Sequence, residues 1–162
     1  MLKKSVETAL NKQINRELNS AYLYLSMSAC FESMNMKGFA HWLRVQSKEE
    51  QSHAMKFYDY VIAKGGTVIL GMIEAPKAKW KSPQEAFADV LAHEQKVTGF
   101  INDLVDIAIK EEDHATNNFL QWFVKEQVEE EENAVEILSK IKMIGDAPGI
   151  LLFLDHELSK RE

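Results

Sequence analysis

Apolar side chains recur every three or four residues along most of the chain, and this period predicts amphipathic α-helices. The periodic stretches are rich in Glu, Lys, Ala, Leu, Gln and Met, which are residues that favour helix. The pattern predicts four long helices and one short helix. Their expected bounds are about 5–34, 39–65, 83–112, 116–144 and 148–159.

Glycine and proline lie mostly between these stretches and mark where helices begin and end. Gly38 separates the first two periodic segments, and Gly65-Gly66 is a typical helix stop. The sequence Ser82-Pro83-Gln84-Glu85 combines an N-cap serine, proline at the first helical position and a capping-box glutamate. Gly145 and Pro148 set off the short last helix.

The connections between the helices predict their arrangement. Short links make helices one and two, and helices three and four, antiparallel hairpins. Residues 66–81 could extend about 50 Å, the length of a whole helix, so helices two and three should run parallel. This crossover is apolar (Val68, Ile69, Leu70, Met72, Ile73), so it should lie against the bundle or a neighbouring subunit. A flexible linker between two hairpin domains fits that composition poorly.

These features predict an all-α four-helix bundle with a long crossover and a short fifth helix. We expect one domain over residues 1–162, with the bundle at about 5–144 and the last helix at about 148–159.

Composition and charge limit the functions that this fold could serve. The chain is 46% hydrophobic and 27% charged, which is typical of a globular protein, and no apolar run approaches the ~20 residues of a membrane span. The 25 acids against 19 lysines and arginines argue against nucleic acids and anionic membranes as partners. The lone Cys30 favours a reducing compartment, so we expect a cytoplasmic protein.

Each long helix carries a potential metal ligand near the middle of its apolar stripe. A single buried glutamate usually has a structural explanation, such as an ion pair. Several buried glutamates at comparable depth, with no lysine or arginine in the same stripes, are a different matter. Each unpaired carboxylate would destabilise the fold by roughly several kcal/mol, and bound metal cations would neutralise the group. The candidates are Glu17, Glu50, His53, Glu94, Gln127 and Glu130.

These positions repeat after 77 residues, which predicts two helical hairpins around a site shared by two metals. The first copy reads Glu-x-x-His and the second Gln-x-x-Glu, so the two metal positions should be unequal. Carboxylates with one imidazole suit iron or manganese. The two expected ligand sets are Glu17, Glu50 and His53, and then Glu50, Glu94 and Glu130, with Glu50 bridging.

This ligand pattern resembles that of ferritin-like carboxylate di-iron bundles, and the whole chain resembles a non-haem prokaryotic ferritin. The resemblance implies an iron-storage protein with ferroxidase activity. It would oxidise Fe(II) with O₂ or peroxide and hold ferric oxyhydroxide inside a homo-oligomeric cage of about 24 subunits. The ferroxidase residues implied are Glu17, Glu50, His53, Glu94 and Glu130, with Gln127 close by.

The same resemblance implies further roles. Glu49, Glu126 and Glu129 match the acids of a third, neighbouring iron site, and Tyr24 matches a tyrosine that donates a hydrogen bond or an electron beside the centre. Haem is not expected, because Gln51 stands where the haem-binding relatives carry methionine. Without the seven proposed site acids, the remaining 18 acids nearly balance the 19 lysines and arginines. These seven are Glu17, Glu49, Glu50, Glu94, Glu126, Glu129 and Glu130.

The residues alone leave two other hypotheses open. The first is a soluble di-iron oxidase or oxygenase that acts on an organic substrate with the same ligands. The second is a purely structural four-helix bundle with buried ion pairs.

Overall fold

The computed structural model describes residues 2–145 and 147–162, and within these residues the chain forms five helices and no strand. None of these helices combines the length and the apolar character that crossing a bilayer requires. The expected all-α architecture is confirmed, with its crossover and short last helix. The helices are α1 (Lys4–Ser33), α2 (Lys37–Ala63), α3 (Pro83–Lys110), α4 (His114–Ile144) and α5 (Pro148–Leu158).

The helix ends agree with the expected signals at one end of the crossover and differ at the two tight turns. The Ser82 hydroxyl accepts a hydrogen bond from the Glu85 N–H at 3.2 Å, as the N-cap signal predicts. The turn between α1 and α2 falls at Asn35, whose φ is +59°, so α2 begins before Gly38 and not after it. The turn between α3 and α4 similarly uses Glu112, with φ +54°, and Asp113 caps α4 two residues earlier than expected.

Gly38 lies inside α2 because α5 crosses the helix at this point. A Cβ at this position would lie only 1.5 Å from the main-chain oxygen of Asp155. The Asp155 carboxylate also accepts the Phe39 N–H at 2.9 Å, which holds the two helices together. The glycine therefore permits a close approach between helices and does not break one.

We expect Gly38→Ala to lower the free energy of unfolding by about 3 kcal/mol, because main-chain atoms of α5 must move to make room for the methyl group. The measurement is denaturant unfolding of the two proteins. Gly99→Ala is the matched control, since nothing lies within 4 Å of a Cβ there and alanine should stabilise the helix by about 1 kcal/mol. Equal effects of the two substitutions would contradict the close-approach explanation.

The crossover, residues 64–82, follows α1 from its beginning to its end. Asn11 accepts the Ile69 N–H at 2.6 Å, Asn15 donates to the main-chain oxygen of Met72 at 3.1 Å, and Ser26 donates to that of Lys77 at 2.8 Å. The segment therefore starts α3 at the same end of the bundle as α2, and these two helices run parallel as expected. Trp80 is buried in the bundle core and Val68 packs against the core, whereas Ile69, Leu70 and Met72 are 63% to 78% exposed.

The bundle core is divided into two apolar clusters with a polar layer between them. One cluster lies towards the turn between α1 and α2 and includes Phe31, Phe39 and Phe87. The other lies towards the opposite end and includes Leu10, Phe57 and Leu120. The layer between the clusters contains the candidate ligands, which all four long helices supply: Glu17, Glu50, His53, Glu94, Gln127 and Glu130.

Candidate metal centre

The first half of the centre comes from the α1–α2 hairpin. Glu17, Glu50 and His53 are each at most 5% exposed, and each offers one ligand atom within 4.8 Å of the other two. Nδ1 of His53 lies 3.7 Å from Oε2 of Glu50, as the i,i+3 spacing on one helix face requires. The structure thus brings together the first predicted ligand set.

The second half comes from α3 and α4. The amide nitrogen of Gln127 donates to Oε2 of Glu94 at 3.2 Å, which links these two helices. Glu130 is joined to α2 through Gln46, whose amide nitrogen lies 2.9 Å from Glu130 and 3.0 Å from Glu50. In the part of the chain that the structure describes, Glu50, Glu94 and Glu130 do not offer three atoms within 4.8 Å, so their joint role as a ligand set stays a prediction.

Burial and mutual repulsion raise the pKa values of all four inner carboxyl groups. The pKa of Glu17 rises to about 8, first through burial and then through the charge of Glu50. The pKa of Glu130 rises to about 7, through burial and then Glu94. Burial also raises the pKa of Glu94, and raises that of Glu50 well above its ordinary value together with the charges of Glu94 and Glu130.

None of these four glutamates forms an ion pair with lysine or arginine among the described residues; Glu50 instead lies beside His53. Hydrogen bonds from neutral donors only partly offset the burial, so the group is an electrostatically costly cluster of oxygen ligands. A divalent cation would bind in place of the protons and remove the repulsion between the carboxylates. The donor set therefore fits iron or another hard divalent metal, as the carboxylate-rich sequence pattern indicated.

Two buried glutamines support the glutamates of the first hairpin, and sequence reasoning missed both. Gln13 donates to Glu17 at 2.7 Å and Gln46 to Glu50 at 3.0 Å, in each case from four residues earlier on the same helix. That shared i,i+4 offset was visible in the sequence. The second hairpin has Val90 and Phe123 at the equivalent positions, so its glutamates take donors from other helices.

Tyr24 lies at the centre, as expected from the resemblance. Its hydroxyl donates to Oε1 of Glu94 across the bundle, and burial with nearby carboxylates raises the tyrosine pKa well above its ordinary value. The ring also contacts His93 edge-on at 5.7 Å, and a nitrogen of His93 lies 2.8 Å from the Ser20 hydroxyl. The phenol therefore stays protonated and anchored at neutral pH.

The three acids predicted for a neighbouring site have unequal surroundings. Glu126 is half-buried, and its Oε1 lies 3.8 Å from Nε2 of His53; together with Glu130 these residues form a second compact group of possible ligands. Glu49 is bound by Arg161, with Nη2 and Oε2 only 2.5 Å apart. Glu129 is exposed.

A hydrogen-bond chain from the surface fixes Gln127, and no sequence pattern singled out its other members. Thr98 donates to Glu131 at 2.5 Å, so its oxygen is free to accept from Gln127 at 3.3 Å. This chain orients the amide nitrogen of Gln127 towards Glu94. It borders a groove of about 340 Å³ between α3 and α4.

The fold is that of a known family. The family model for the ferritin-like domain matches residues 7–144, and the chain belongs to this family. A bacterial non-heme ferritin of Bacteroides fragilis is 44% identical over 161 residues, covering 99% of this chain and all of that protein. The bacterial non-heme ferritin of Escherichia coli O157:H7 is 38% identical, covering 98% of this chain and 96% of its own length.

Solved structures agree with this assignment. An open-pore ferritin from the hyperthermophilic archaeon Archaeoglobus fulgidus superimposes with a TM-score of 0.99 at 51% sequence identity, and the match covers both chains completely. A humanized archaeal ferritin superimposes equally well, at 50% identity. The sequence-based assignment to the ferritins is confirmed.

Proposed function

We propose that this protein is an iron-storage ferritin that oxidises Fe(II) at an intrasubunit centre and retains the iron inside a multi-subunit cage. The observation that carries the proposal is the buried cluster of four glutamates and His53, which burial and mutual repulsion make unfavourable without a bound cation. The relatives named bacterial non-heme ferritins support the same function. Iron is the substrate and the cargo.

In the proposed centre, Glu17, Glu50 and His53 bind one Fe(II), and Glu50, Glu94 and Glu130 bind the other. At neutral pH a carboxyl group with a pKa of about 8, as in Glu17, is largely protonated, and one with a pKa of about 7, as in Glu130, is about half protonated. Metal binding should therefore release protons from this group. Two Fe(II) ions supply two electrons, the number that converts O₂ to hydrogen peroxide or hydrogen peroxide to water.

The neighbouring residues would set the geometry and receive the product. Gln127 and Tyr24 hold Glu94 by hydrogen bonds, and we propose that Tyr24 can also supply an electron. Glu49, Glu126 and Glu129 would bind a third iron and help to move oxidised iron away from the centre.

The exposed apolar surface of α5 supports assembly. Ile150, Leu152 and Phe153 are between 56% and 67% exposed, and such side chains on one short helix are usually covered by a partner. We propose that copies of the chain cover them in a cage of about 24 subunits. The cytoplasm, expected from the lone buried Cys30, suits this function.

Size-exclusion chromatography combined with an iron assay tests the proposal. The expected result is a particle of about 24 subunits that holds iron far above two ions per chain after Fe(II) and air are added. A small oligomer with two irons per chain would instead indicate an oxidase or oxygenase. A bundle that binds no metal would indicate a structural protein.

A further inference from the structure

The C-terminal tail folds back from α5 onto α2 and is held there by several contacts. The main-chain oxygen of Arg161 accepts a hydrogen bond from Nε2 of His41 at 2.7 Å. The guanidinium lies 4.1 Å above the centre of the Trp42 ring and also donates to the main-chain oxygen of Trp42 at 3.4 Å. These contacts leave the Arg161 side chain only 18% exposed.

The guanidinium of Arg161, held in this way, forms an ion pair with Glu49. Its Nη2 donates to Oε2 of Glu49 at 2.5 Å, although the two residues are 112 positions apart in the chain. A charge-assisted hydrogen bond of this kind is about twice as strong as a neutral one. Because the guanidinium is already held against the Trp42 ring, little further side-chain entropy is lost when it binds Glu49. Glu49 directly precedes the central ligand Glu50.

A metal ion and a guanidinium compete for the same carboxylate oxygen. Both bind through its lone pairs, and a divalent ion placed at Glu49 would also be repelled by the fixed positive charge of Arg161. Glu126 is unaffected by this contact, since it faces His53 instead. The competition therefore applies to one ligand of the outer group and not to the inner centre.

We propose that Arg161 is a built-in competitor for the outer metal site, and that it must leave Glu49 before a metal can use this carboxylate. The inference rests on the third site of the proposed function. Arg161 thereby makes the outer site weaker than the inner pair and ensures that the inner centre fills first. It is a positioning residue that determines the order of binding.

The test is calorimetric titration of the assembled, metal-free protein with Zn²⁺, a probe that undergoes no redox reaction. In Arg161→Gln we expect the weakest of three binding events per subunit to become about fivefold tighter, while the two tighter events stay unchanged. Lys160→Gln is the matched control, because it removes the same charge from the same tail but its partner is Glu157. It should leave all three events unchanged.

A second substitution identifies Glu49 as the group for which Arg161 competes. Glu49→Gln should remove the weakest event, and adding Arg161→Gln to it should not restore that event. If Arg161→Gln fails to assemble, Arg161→Lys gives a smaller tightening, since an ammonium keeps the charge but cannot bind Trp42 and Glu49 with one planar fork.

The outcomes that overturn the proposal are distinct from those that overturn the storage function. The inference is wrong if Arg161→Gln weakens the third event or leaves it unchanged, or if Lys160→Gln shifts it equally. It is also wrong if the parent protein binds only two ions per subunit, although the inner centre would then remain intact. A parent protein that binds no Zn²⁺ would overturn the proposed function itself.

Discussion

Replacing Glu50 with alanine is expected to abolish the fast phase of Fe(II) oxidation, with a loss of at least about 100-fold in its rate. Glu50 is the most central carboxylate of the cluster, because it lies beside His53, receives the Gln46 amide and is repelled by the charges of Glu94 and Glu130. Removing it deprives both proposed iron positions of a shared ligand. Stopped-flow absorbance after mixing the metal-free protein with Fe(II) in air measures the effect.

A matched control separates this loss from a general change in charge. Glu132 is an exposed glutamate on α4, and Glu132→Gln should leave the fast phase unchanged. Glu50→Gln keeps the side-chain shape and should still lose the fast phase, since a neutral amide cannot bridge two cations. A fast phase that survives in both Glu50 variants would show that oxidation occurs elsewhere on the chain.

The metal-free protein is expected to lose stability as the pH rises from about 5 to 8. The pKa values of Glu17 and Glu130 are raised from 4.5 to about 8 and about 7 in the folded protein, so the folded state binds more protons than the unfolded state over this range. Stability falls wherever the folded state binds more protons. The penalty is absent below about pH 4.5 and is complete only about one pH unit above the Glu17 pKa of about 8.

Between pH 5 and 8 we expect this loss to be on the order of 6 kcal/mol, equivalent to roughly 15–20 °C in melting temperature. Scanning calorimetry of the metal-free protein at pH 5, 6.5 and 8 measures it. With Zn²⁺ bound the trend should reverse, because metal binding requires deprotonated ligands and stabilises the folded state more strongly as the pH rises.

A substitution links the two predictions. Glu50→Gln should raise the melting temperature of the metal-free protein at pH 8, because it replaces a carboxyl group whose pKa is raised by burial and by neighbouring charges with a neutral amide. The same substitution should abolish the fast oxidation phase. Glu132→Gln again serves as the control and should change neither. If the stability of the metal-free protein did not depend on pH in this range, the buried carboxyl groups would have to be paired with a cation in solution.

Much of the centre could be predicted from the sequence because its ligands follow local rules. Glu17, Glu50 and Glu94 lie on apolar stripes whose 3.6-residue period identifies the buried face of each helix. The spacing of Glu50 and His53 alone places both side chains on one side of α2. Even Gln13 could have been found this way, since it precedes Glu17 by one turn in the same stripe.

Other local signals were ambiguous. Gly38 looked like a helix break, yet it lies inside α2, because glycine also permits the close approach of another backbone. Asn35 makes the actual turn with a positive φ, which asparagine tolerates better than most residues. A sequence pattern does not distinguish these two uses of a small or permissive residue.

What the sequence determined by itself is the set of helices, their buried faces, the length of the crossover and the ligands that share one helix. Only the tertiary structure decided which helices exchange donors, as between Gln46 and Glu130 or Tyr24 and Glu94, and that the tail brings Arg161 to Glu49. The physical reason is that helical periodicity fixes the direction of a side chain relative to its own helix. Contacts between residues 70 to 112 positions apart depend on how the helices cross and align, and this follows from packing the whole core.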